Sequence, residues 1–188
     1  SFIDMFNNAT DFNTLYSPPT PVTDSFFNKF VTKAKLQRGI DAWIADEAAA
    51  TTIYGDINTW DTSAITDMSE LFKDKSTFNS DITNWDVSSV TNMDGMFNNA
   101  VAFNSDITNW DVSSVTDMTS MFNGATVFDK EIRGWDVSSV TNFTDMFNGA
   151  TDFNTLYTPP TPVTASFFDK FVTKAKLQTA VNAWTTDE

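Results

Sequence analysis

Between Phe103 and Val127 the apolar positions change rhythm halfway. Phe103, Ile107, Trp110 and Val112 come first, spaced irregularly among Asn, Ser and Thr, which suits a short extended segment and corners. Val115, Met118, Met121, Phe122 and Ala125 follow at i, i+3, i+6, i+7 and i+10, one face of a short helix. Ser114-Val-Thr-Asp117 has the form of a capping box in front of that helix, with Asp in place of Glu, and Gly124 falls where a stop is wanted. The pattern predicts one short strand and one helix of about two to three turns.

The unit is repeated. Trp60, Trp85, Trp110 and Trp135 are spaced by 25 residues, each inside a D/E-I-x-x-W-D-[VT]-S-[SA]-[VI]-T-[DN] run. A fixed period of this length signals stacked units that cover one another. The expected fold class is therefore an α/β repeat solenoid of leucine-rich-repeat type. Its short parallel strands would lie about 4.8 Å apart in one sheet. Equivalent residues then form ladders: Phe78, Phe103, Phe128 and Phe153 in one, and the four Trp in another. Met68, Met93, Met118 and Phe143 fill the helix side. All of these read as core packing. Near-identical units offer no unique constellation of catalytic groups, so no enzyme is expected.

A longer repeat encloses the first. Residues 4–47 recur at 145–188, an offset of 141, as Met5 against Met146 and Trp43 against Trp184 show. The chain starts at Ser1 inside such a unit, and we expect it to be a piece of a longer tandem array. The expected organisation is a tail of one block with a Pro-rich joint at 1–22, one complete block at 23–163, and the cap helix of the next block at 164–188. Within the complete block, an amphipathic N-terminal cap helix occupies 24–50, 25-residue repeats occupy about 53–155, and a stiff joint with Pro159, Pro160 and Pro162 occupies 157–163. Stacked repeats need caps, and Phe167, Phe168, Phe171 and Trp184 suit the apolar face of one between blocks.

Composition removes several function classes. A net charge of −14 argues against nucleic acid and anionic membranes. Without Cys or His, thiol chemistry, imidazole base catalysis and a usual zinc site are excluded. The longest apolar runs fall well short of the roughly 18 residues that insertion into a bilayer needs. Two acidic columns remain: Asp61, Asp86, Asp111 and Asp136 after the Trp, and Asp56, Asp81, Asp106 and Glu131 before the Ile. Stacked carboxylates repel unless they are solvated, hydrogen-bonded or bridged by a cation, and calcium suits oxygen-only ligands. The competing reading of the post-Trp column is an Asx turn or helix-start charge. No other cofactor is expected.

The phrase WDVSSVTNMDGMFNNAVAFNSDI, from Trp85 to Ile107, resembles the 25-residue repeat of the BspA-like surface proteins, a group with repeats first noted in mycoplasma surface lipoproteins. The resemblance covers nearly the whole chain. It implies a leucine-rich-repeat-like fold on extracellular or cell-surface proteins, with adhesion as the associated role and no catalytic residues to carry over. The Pro-rich joint and the 141-residue duplication depart from single-block members and favour an array. The expected function is a structural module of a long tandem-repeat protein, building a fibre or stalk with neighbouring copies of the block as partners. The alternative is an adhesin that binds a protein or glycan through the exposed face of its repeats.

Overall fold

The computed structural model describes residues 29–168. Helix α1 (Lys33–Ala45) starts where the Thr32 side chain accepts the Lys35 N–H. It buries Leu36, Gly39, Ile40 and Trp43, a stripe at helical spacing. Gly39 is required by close approach, since a Cβ there would lie 2.8 Å from the Phe30 ring. Asp46 ends α1 by donating its N–H to the Ala42 carbonyl, and caps α2 (Glu47–Tyr54) with its carboxylate on the Ala49 N–H. Gly55, at φ 75°, ends α2. Among the described residues, the expected cap helix of 24–50 forms as two helices from Lys33 onward, preceded by non-helical residues from Lys29 to Thr32.

A 3-10 turn at Ile57–Thr59 leads into the repeats. The expected α/β solenoid is not formed. Among the described residues there is no strand, and residues 60–150 contain no helix. The strand-like pairing between neighbouring described repeats is confined to single parallel bridges, Asp67 to Asn92, Asn92 to Asp117, and Asp117 to Asn142.

The hydrogen bonds explain why. In the half read as a helix, alternate amides point to the next repeat. Met93, Gly95, Phe97 and Asn99 donate to the carbonyls of Asp117, Thr119, Met121 and Asn123 at 2.7–2.9 Å. The intervening amides of Met96, Asn98 and Ala100 fold back three residues, to Met93, Gly95 and Phe97. The same alternation runs from Met68 to Asp74 and from Met118 to Gly124. Left-handed residues make it possible. Glu70, Gly95, Ser120 and Asp145 form one column at positive φ, and Asp74, Asn99, Gly124 and Gly149 form another. Two left-handed residues four positions apart in each repeat forbid an α-helix there, and the tight turns between them forbid an extended strand. Each repeat is a rung of linked turns. Ser114-Val-Thr-Asp117 accordingly caps no helix. Asp117 accepts the N–H and hydroxyl of Thr119 in its own turn.

The core runs along the stack. Phe72, Phe97, Phe122 and Phe147 form one column, with ring centroids 5.3–5.8 Å apart and planes within 9°. Phe78, Phe103, Phe128 and Phe153 form a second at 5.8–6.2 Å. Within a rung the two columns meet at 3.8–4.2 Å. Trp85, Trp110 and Trp135 are buried, and each donates its indole N–H to the backbone carbonyl of Ile57, Ile82 or Ile107 in the rung before. Met68, Met93 and Met118 are fully buried. A second hydrogen-bonded column, Thr91 to Thr66, Thr116 to Thr91 and Thr141 to Thr116, ties the corners.

Candidate functional site

All inter-rung bonds of the turn ladder run in one sense, N–H of one rung to C=O of the next. Along this ladder the two ends therefore differ, the first presenting carbonyls and the last amides, while the Thr66, Thr91, Thr116 and Thr141 column runs in the opposite sense. At the first end, α1 covers the edge. Gln37 Nε2 donates to the Leu71 carbonyl at 3.2 Å, Lys33 Nζ pairs with Asp67 at 3.1 Å and reaches the Ser69 hydroxyl, and Lys75 pairs with Asp41 at 2.8 Å. Phe30 donates its N–H to the Asp61 carbonyl and lays its ring 4.5 Å from that of Trp60.

At the last end, the amides of Phe143, Asp145, Phe147 and Gly149 occupy the donor positions of the ladder and find no carbonyl among the described residues. They line a cavity of about 970 Å³ whose other wall is the proline segment from Thr158 to Ala165. Helix α3 (Thr151–Tyr157) closes the final turn, with Asn154 Nδ2 donating to the Phe147 carbonyl and its Oδ1 buried without a partner. Tyr157 donates to the Asp129 carbonyl, under the Arg133 guanidinium at 4.5 Å. A short helix α4 (Ala165–Phe168) then brings Phe167 and Phe168 onto the end of the stack. Phe168 stacks on Phe143 at 5.5 Å, and Phe167 meets Phe147 and Phe153 edge-on at 6.1 Å. The inter-block cap residues Phe171 and Trp184 lie outside the described residues. The sequence offered no signal for the free amide row, because it depends on backbone direction rather than side-chain type.

The acidic columns are engaged in turns. Asp61, Asp86, Asp111 and Asp136 each accept, through Oδ1, the backbone N–H of the serine two residues on. The hydroxyls of Ser63, Ser88 and Ser113 reach the same oxygen at 2.6 Å. The Ser113 hydroxyl and amide hold Asp111 below the usual aspartate range, and those of Ser63 do the same for Asp61. Asp81 and Asp106 make the corresponding turns with Thr83 and Thr108, and Glu131 pairs with Arg133 at 2.6 Å. These are Asx turns. No group of three or more acidic side chains converges among the described residues. Asn79 and Asn104 offer their side-chain oxygens to the backbone amides of Asn104 and Asp129, one rung on.

Stacked turn rungs with an apolar, amide-lined terminal face define a repeat protein whose distinctive surface is its end. Residues 43–159, more than half the chain, match the family described as "Mycoplasma protein of unknown function, DUF285", and the chain belongs to that family. No curated protein and no solved structure matches it.

Proposed function

We propose that the chain is a non-enzymatic structural module of a surface-exposed tandem-repeat protein, akin to the BspA-like proteins, whose blocks stack head to tail into a fibre or stalk. The observation that carries this reading is the burial of Phe167 and Phe168, which open the next 141-residue unit, on Phe143, Phe147 and Phe153, which close the present one. A block end covered by the start of its successor is how a linear array protects an apolar face. The one-way sense of the turn ladder at Met68 to Gly124 supports the same order, since its donors at one end and acceptors at the other favour head-to-tail over head-to-head contacts along that edge. The acidic surface adds solubility to long assemblies.

Among the described residues, the exposed large apolar side chains are Val31, Ile53, Val101, Val127 and Leu156, which share no column of the stack. They give an adhesive face no focus. Small-angle scattering of a chain with two or more blocks tests the structural reading. A cross-section independent of block number, with length growing in proportion, is expected. Blocks that scatter as independently tumbling beads would count against it.

A further inference from the structure

One segment occurs twice, as TDSFFNKFVTKAKLQ at 23–37 and TASFFDKFVTKAKLQ at 164–178. The described residues show its beginning in the second copy and its continuation in the first. In the second copy, Phe167 and Phe168 are 3% and 2% exposed and pack backwards, on the last rung of the block that precedes them. In the first copy, Phe30 is fully buried and packs forwards, on Trp60 at 4.5 Å and Tyr54 at 6.0 Å. Leu36, Ile40 and Trp43 follow it into the core of the block ahead.

We propose that this segment is a two-sided clamp between consecutive copies of the block. The Phe-Phe pair of the segment, described at Phe167-Phe168, belongs to the core of the block behind. The third phenylalanine, described at Phe30, and the helix after it belong to the block ahead. The partner of the terminal face is thus the next copy of this same block, and the two share one continuous core.

Chain geometry makes the clamp tight. Two residues, Asn28-Lys29 or Asp169-Lys170, separate the backward anchor from the forward one. From Phe27 to Phe30 the backbone reaches at most about 10 Å, roughly two spacings of stacked chain. Blocks joined so closely abut and cannot swing on a flexible spacer. The proline segment serves as a strap and not as the spacer. Tyr157, Val163 and Ala165 pack against the core, so the strap lies back over the amide row and delivers the Phe-Phe pair to it.

The proposal rests on the tandem reading above, but not on contacts between separate chains. Its test uses the 188-residue chain, which contains one complete block. Phe27→Ser, Phe30→Ser, Phe168→Ser and Phe171→Ser are compared by thermal unfolding and by hydrogen exchange. The amides followed are those of Leu36 to Ala42 in α1 and of Met146, Asn148 and Ala150 at the far end. A crossed pattern is expected. Phe30→Ser lowers the unfolding midpoint by about 10 °C and speeds exchange in α1. Phe168→Ser speeds exchange at Met146, Asn148 and Ala150 by about tenfold or more. Phe27→Ser and Phe171→Ser leave both regions unchanged, because the chain holds only part of the block behind Phe27 and of the block ahead of Phe171. If Phe30→Ser prevents folding, Phe30→Leu supplies the graded loss. Phe27→Ser as damaging to α1 as Phe30→Ser would place the whole segment in the block ahead. Phe171→Ser as damaging to the far end as Phe168→Ser would place it in the block behind. Either result overturns the clamp. The fibre reading fails separately, through beadlike scattering of longer chains.

Discussion

Each aspartate after a tryptophan commits one oxygen to the turn that it starts, which sets both its charge behaviour and its availability to a cation. Hydrogen bonds from Ser63, Thr83, Thr108 and Ser113 lower the pKa values of Asp61, Asp81, Asp106 and Asp111 from the ordinary 3.8. A carboxylate with a depressed folded-state pKa contributes stability that is complete above its unfolded pKa and is lost as pH falls through the folded one. Asp94 has the opposite sign, since burial and then the Asp117 and Glu70 charges raise it. Asp67 and Asp129 are lowered as well, so with six lowered aspartates against one raised, stability is expected to hold down to about pH 4 and decline below it. Ser113→Ala should return the Asp111 titration, followed by carboxyl NMR, towards 3.8. Because Oδ1 is already engaged, calcium and chelator should leave the melting midpoint unchanged; a rise with calcium would revive the cation reading. Glycines give a second contrast. At Gly124, φ is +70° and a Cβ would lie 2.4 Å from Asn99 Oδ1, whereas at Gly134 nothing lies within 4 Å. Gly124→Ala should cost about 1–2 kcal/mol in chemical denaturation, and Gly134→Ala less than about 0.5 kcal/mol.

The repeat as an element shows where the sequence could be read and where it misled. The 25-residue period and the buried columns are visible as spacing alone, and Phe103, Trp110 and Met118 all lie in the core. The secondary structure was not visible in the same way. Val115, Met118, Met121, Phe122 and Ala125 follow helical intervals, yet turns that fold back every three residues return side chains to one face at the same intervals. The discriminating signal lay in the intervening columns. Glu70, Gly95, Ser120 and Asp145, with Asp74, Asn99, Gly124 and Gly149, are mostly residue types that tolerate left-handed backbone. A single Gly124 reads as a helix stop; two such columns four residues apart read as linked turns. The rung also predicts its own tolerance. Deleting a full 25-residue period keeps every column in register and should leave a cooperative, somewhat less stable protein. Deleting one residue fewer should abolish cooperative unfolding. Phe97 touches Phe103 in its own rung, Phe72 and Phe122 in the rungs on either side, and Trp110. Phe97→Ala should cost about 3–5 kcal/mol, measured by urea unfolding.

On the scale of the whole molecule, the two ends carry the functional argument. The first end is closed by α1 through Gln37 and Lys33 and by Phe30 ahead of it, and the last is a row of amides under a proline strap with two phenylalanines seated beside it. The 141-residue duplication pointed to neighbouring blocks, while the polarity of the ladder is a property of the folded backbone that no residue type encodes. Electron microscopy of the native, full-length protein, with its mass measured alongside, tests the central claim most directly. The account predicts straight, unbranched rods or fibres with an axial period equal to one 141-residue block. Isolated short particles, or chains of blocks bent at random angles at every joint, would contradict it.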